Sequence, residues 1–148
     1  HLDIVGDGPE MEELIQLAQG YDLTNLITFH GNVSHSKVIK ILSNSNLFLF
    51  PTNTKEGFPK VLVEAMSCGL PVIASRVSVM PYLVENQCGI ILKDTSPQSI
   101  CDSIDKIISQ PIEMEKMGKI SRAISKKYTL ENWKNQIRTQ LKYSIGLI

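Results

Sequence analysis

Two glutamates, Glu56 and Glu64, stand eight positions apart around a Gly57-Phe58-Pro59 turn. An ionised carboxylate only accepts hydrogen bonds, so a pair of them suits a ligand rich in hydroxyls. Gly57 permits backbone conformations that a side chain would forbid, and Pro59 suits the first position of a helix. The amide hydrogens of a helix N-terminus lack partners within the helix and bind anions. One carboxylate on the loop, an anion site at the helix end and a second carboxylate roughly two turns away would take an elongated ligand with hydroxyl-rich parts and a negative centre. A nucleotide sugar has that layout. Spacing alone also admits a plainer reading, in which Lys60 and Glu64 form an i, i+4 surface pair in its less favourable order.

The helix that must carry Glu64 runs from about Pro59 to Cys68. At about 100° per residue, Val61, Leu62, Ala65, Met66 and Cys68 gather on one side, with Glu64 at its edge and partly buried. Gly69-Leu70-Pro71 stops it. The strand before it, Leu47 to Phe50, is apolar at every position, as expected for a strand covered on both faces. Val72 to Ala74 is the next strand and Gly89 to Leu92 another, with Tyr82 to Val84 as a short helix between them. Upstream, Leu2 to Val5 reads as a strand that stops at Gly6-Asp7-Gly8-Pro9. A helix with Met11, Leu14, Ile15 and Ala18 on one stripe follows, then a strand from Leu26 to His30 and a helix capped by Ser34. From Pro97 onward the periodicity is helical only, with Thr129 capping a last helix that carries Trp133, Ile137 and Leu141. Strands alternating with helices predict an α/β domain with a Rossmann-like, doubly wound parallel sheet. In such sheets ligands bind outside the carboxyl ends of the strands. That places Gly6 to Pro9, Gly31 to Ser34, Thr52 to Pro59 and Ser75 to Pro81 along one rim.

The 148 residues suit a single domain. Fifteen basic and fifteen acidic residues cancel, and neither sign forms a block, which argues against nucleic acid held by bulk charge. Three cysteines, Cys68, Cys88 and Cys101, lack CxxC spacing and sit among apolar neighbours, which predicts reduced, buried thiols and a cytoplasmic setting. No run approaches the ~20 apolar residues of a membrane helix, while a visit to a membrane surface stays open. His30 and His35 lack a third ligand at metal spacing, and His30 suits a strand end near the rim. Gly6-Asp7-Gly8-Pro9 is not GxGxxG, against a dinucleotide oxidoreductase. Arg76 suits the surface, and Trp133 suits helix packing or an exposed apolar patch.

Glu56-Gly57-Phe58-Pro59 followed by Glu64-Ala65-Met66-Ser67-Cys68-Gly69-Leu70-Pro71-Val72-Ile73-Ala74-Ser75 closely resembles the E-x7-E region of retaining GT-B glycosyltransferases of family 4. Val5 to Pro9, Phe29 to Val33, Pro51-Thr52 and Tyr128 to Trp133 resemble flanking patterns of that family in the same order. The resemblance implies the donor-binding, carboxyl-terminal half of a GT-B fold. It implies that Glu56, the candidate catalytic carboxylate, binds hydroxyls of the donor sugar, and that Glu64 binds the ribose. Gly57, Phe58 and Pro59 would lie beside the sugar and diphosphate, and Gly31, Asn32 and Val33 beside the base; apart from the resemblance, the place of Lys60 near a helix N-terminus suits either a donor phosphate or a solvated surface lysine. No metal ion or other cofactor is implied.

The family's preceding strand, loop and helix, which carry an Arg and a Lys on the diphosphate, have no counterpart here, and neither has the acceptor-binding half. A fragment of a larger enzyme is therefore expected, inactive alone and with part of its sheet less protected than usual. The expected reaction moves a sugar from a nucleotide-diphosphate donor to a carbohydrate or lipid-linked acceptor with retention, in polysaccharide or glycan biosynthesis. A nucleotide-sugar epimerase relative and a non-catalytic scaffolding module are the alternatives.

Overall fold

A computed structural model describes residues 1–54, 57–84 and 87–144. Its residues fall into two compact units, 1–44 and 45–148.

In the first unit, strand β1 (Leu2–Val5), helix α1 (Met11–Gly20), strand β2 (Ile27–Gly31) and helix α2 (His35–Asn44) follow one another. β1 and β2 pair in parallel, Leu2 opposite Ile27 and Ile4 opposite Phe29, an arrangement that needs a crossover such as α1 between them. One face of the ladder is polar: His30 Nε2 meets Asp3 Oδ1 at 2.7 Å and His1 Nε2 meets Thr28 Oγ1 at 2.8 Å. Ser34 precedes α2, and its carbonyl accepts from the Lys37 and Val38 amides at 2.9 and 3.0 Å, as its capping position requires.

The second unit contains β3 (Phe48–Phe50), α3 (Lys60–Ser67), β4 (Val72–Ala74), α4 (Met80–Val84), β5 (Gly89–Ile91), α5 (Pro97–Ile108), α6 (Pro111–Ser125), a 3₁₀ turn (Lys126–Tyr128) and α7 (Leu130–Ser144). β3, β4 and β5 form a parallel sheet in that order. Alternate side chains of a strand point to opposite faces, and both faces are covered. Val72 and Ala74 pack with Leu62 and Met66 of α3 and with Met80 and Leu83 of α4. Ile73 packs the other way, against Ile100, Ile104 and Ile107 of α5 and Met114 of α6. Double coverage is why these strands read as unbroken apolar runs.

α3 ends in a Schellman motif. Gly69, at φ +83°, donates to the Met66 carbonyl at 2.9 Å, and Leu70 donates to Ala65 at 3.2 Å. α6 crosses this end at backbone contact, for a Cβ on Gly118 would lie 2.3 Å from the Gly69 carbonyl oxygen.

Two sequence expectations change, and a third is decided between its two readings. Pro59 is the residue before α3 and not its first turn: its ψ of 98° is extended, while its carbonyl already accepts from the Leu62 amide at 3.1 Å. Of the thiols only Cys88 is buried, whereas Cys68 is half-buried and Cys101 exposed on α5. A local apolar neighbourhood in sequence does not make a buried face when the helix turns that position outward. Of the two readings the sequence allowed for Trp133, helix packing or an exposed apolar patch, the second holds: it is 65% exposed, as part of a bare stripe with Leu130, Ile137 and Leu141 on α7. Among the described residues no helix is long and apolar enough to cross a membrane.

Candidate donor site

Parallel strands deliver their exits to one edge, and in the second unit side-chain hydrogen bonds lace those exits together. The Ser75 hydroxyl, buried just past β4, accepts the Thr52 amide from the β3 exit at 2.7 Å. From the β5 exit, the Thr95 hydroxyl donates to Asn53 Oδ1 at 2.8 Å. Ser78, two residues before α4, donates its hydroxyl to the Gly57 carbonyl at 3.0 Å. Asp94, also on the β5 exit, accepts from the Ser96 hydroxyl and amide, and these bonds hold its carboxyl below the usual carboxylate range.

The Gly57-Phe58-Pro59 turn leads from this edge into α3. Gly57 is exposed, and Phe58 is 47% exposed with its ring tilted against Tyr128 at 5.7 Å between centroids. Pro59 is buried. Lys60 opens the helix and is exposed; no acidic residue occupies the first turn. The positive end of the helix dipole thus meets a cation, Lys60, and no acidic residue within its own first turn, an arrangement that favours an external anion there. Glu64 lies four residues into α3, half-buried as its position at the edge of the apolar face predicts, and about one turn from Lys60. Glu56 lies outside the described residues.

Gly31, Asn32 and Val33 belong to the first unit, where they form the exit from β2. Gly31 takes φ +62°, and its carbonyl accepts the Gly6 amide of the β1 exit at 3.0 Å. Asn32 is exposed and Val33 half-buried. His30 is turned to Asp3, and Arg76 is exposed. Sequence reasoning placed 75–81 on the rim as a segment, without separating Ser75 and Ser78 from their neighbours. Asn53 likewise lay within the 52–59 rim segment without being singled out, and Thr95 and the Tyr128 ring contact were missed, because no local pattern marks a hydrogen bond or ring contact that spans twenty or more residues.

A groove of about 440 Å³ opens elsewhere in the second unit, between Asn46, Leu70, Pro71, Met114 and Arg122. Asn46 and Pro71 precede β3 and β4, so this groove lies at the amino ends of the strands. Ligands of open parallel sheets bind at the opposite edge, where the Gly57-Phe58-Pro59 turn lies.

Residues 1–124 match the family described as Glycosyl transferases group 1. The chain belongs to this family. It is 33% identical over 149 aligned residues to an uncharacterized glycosyltransferase of Methanocaldococcus jannaschii, covering 95% of this chain and 36% of that protein. It is 29% identical over 120 residues to the N-acetyl-alpha-D-glucosaminyl L-malate synthase of Bacillus anthracis, covering 80% of this chain and 31% of that protein. Among solved structures, sucrose-phosphate synthase of Thermosynechococcus elongatus superposes with a TM-score of 0.78 at 28% identity, over 96% of this chain and 38% of that one. HepE of Anabaena, solved with UDP, superposes at 0.84 with 24% identity, over 95% and 40% of the two chains. The chain therefore has the α/β architecture of GT-B glycosyltransferases and spans well under half the length of the relatives it matches.

Proposed function

We propose that this chain is the nucleotide-sugar-binding portion of a glycosyltransferase that moves a sugar from a nucleotide-diphosphate donor to a carbohydrate or lipid-linked acceptor, with retention of configuration. The observation that carries the reading is the entrance to α3: a glycine turn at the carboxyl edge of a parallel sheet, a helix whose first turn holds no acidic residue, and half-buried Glu64 one turn inside. Family membership supports it.

In this reading the amides at the start of α3 meet the diphosphate, whose charge grows as the glycosidic bond loosens. Preorganised dipoles of this kind stabilise developing charge without reorganising. Glu64 accepts from the ribose hydroxyls, Glu56 orients the sugar, and Lys60 adds a cation near the phosphates. No metal ion is required for these roles. The acceptor, and the residues that hold it, belong to a further domain of the full-length protein, whose setting is cytoplasmic with peripheral contact to a membrane. Glycan or polysaccharide assembly is the corresponding pathway class.

The test is calorimetric titration of the chain with UDP-, GDP- and ADP-sugars, in parallel with Glu64→Ala. Hydrogen bonds to a charged group contribute about 1.5–3 kcal/mol, so the variant should bind about ten- to a hundredfold more weakly. Equal affinity for parent and variant would remove Glu64 from the site. Silence with every nucleotide, persisting in the full-length protein, would overturn the transferase reading in favour of a scaffold. Conversion of the sugar without any acceptor would point to an epimerase.

A further inference from the structure

We propose that Ser78 is a positioning residue for the donor site, through the hydrogen bond from its hydroxyl to the Gly57 carbonyl at 3.0 Å. The inference rests on the donor-site reading above and adds to it a residue from the loop after β4.

Ser78 takes φ +49°. An L-residue in this left-handed region costs about 1–2 kcal/mol, and glycine is the residue that escapes the cost. Ser78 is exposed, so no demand of core packing selects a side chain there. The side chain's visible contribution is the bond to Gly57, which joins segments 21 positions apart in the chain. Strain held at one point and offset by a specific contact is a pattern found at functional sites.

The contact matters because of what it holds. Gly57 has the widest conformational freedom of any residue type, is exposed, and carries no side chain that could anchor the turn. A trans peptide unit is planar, with its carbonyl and the following amide pointing in opposite directions. Fixing the Gly57 carbonyl toward Ser78 therefore fixes the Phe58 amide hydrogen to point away from Ser78. Without the hydroxyl, the Gly57–Phe58 peptide can rotate, and the donor would have to order it on binding. With the hydroxyl, the turn is set beforehand, which is how preorganisation raises affinity. The Phe58 ring is held separately against Tyr128, so the peptide plane is the part that depends on Ser78.

Two variants separate this role from a general contribution to folding. Ser78→Gly removes the hydroxyl and the strain together, whereas Ser78→Ala removes the hydroxyl and keeps the strain. The full chain and both variants are compared by thermal unfolding, by the amide resonance of Phe58, and by titration with UDP and with UDP-, GDP- and ADP-sugars. The expected result is a melting temperature at or above the parent's for Ser78→Gly and below it for Ser78→Ala. Both variants should bind the nucleotide about three- to tenfold more weakly, the range of one net hydrogen bond. Both should also shift and broaden the Phe58 amide. Weaker binding in a more stable variant is an outcome that a purely structural role does not produce. Parental affinity or an unmoved Phe58 amide in Ser78→Gly would overturn the role while leaving the donor site intact. A parent that binds none of the nucleotides would overturn the donor-site reading itself, and this role with it.

Discussion

Gly118→Ala tests how α3, the helix that carries Glu64, is held in place. The new Cβ would lie 2.3 Å from the Gly69 carbonyl oxygen, while ordinary contact begins at 3.4 Å, so about 1.1 Å of movement is needed. The atom that must move is backbone, locked into the Schellman motif by the bonds from Gly69 and Leu70 to α3. It cannot swing aside as the end of a long side chain would. Overpacking of this kind costs up to about 3 kcal/mol. Alanine in the middle of a helix returns about 1 kcal/mol relative to glycine. The net expectation is a destabilisation of about 2 kcal/mol, or a drop of about 4–8 °C in melting temperature for a chain of this size. Urea unfolding followed by circular dichroism measures it directly, and an unchanged slope against denaturant would show that only stability moved. A midpoint at or above the parent's would mean that helix propensity outweighs the contact, and that α6 does not approach α3 as closely as the backbone here requires.

The three cysteines should react with a thiol reagent in order of exposure, Cys101 first, then Cys68, with Cys88 reacting only on unfolding; mass spectrometry after timed labelling reads the order. Burial raises the Cys88 thiol above its ordinary 9.0. The folded state therefore holds this proton after the unfolded state has released it. Stability should be full below the unfolded value and fall as pH rises through it, a slope that Cys88→Ala should reduce in alkaline unfolding series. Trp133 is the chain's single tryptophan and is 65% exposed, so its emission should lie near that of solvated indole, be quenched by acrylamide, and shift little on unfolding. Blue-shifted, protected emission from the isolated chain would contradict an open α7 stripe.

The sequence by itself determined the alternation of strands and helices, because each element carries its own period and its own stop. The runs Leu47 to Phe50 and Val72 to Ala74 are apolar without alternation, and they hold β3 (Phe48–Phe50) and β4, whose side chains pack to both faces of the sheet. Gly69 marks the end of α3, and Thr129 caps α7 by accepting the Asn132 amide at 3.2 Å. The Glu64 position was legible for the same reason: the helical period alone puts it at the edge of the buried stripe. The family was legible because its motif is a contiguous run. Tertiary structure decided what depends on partners distant in the chain. Gly118 looks like a weak spot in a helix until the Gly69 carbonyl appears beside it. Ser75 and Ser78 look like ordinary loop serines until Thr52 and Gly57 supply the groups they bind. Trp133 has an apolar stripe in either reading, and only the packed arrangement leaves it bare. Local periodicity encodes which way a residue faces along its own element, whereas what stands opposite it is set by how elements separated by tens of residues come together.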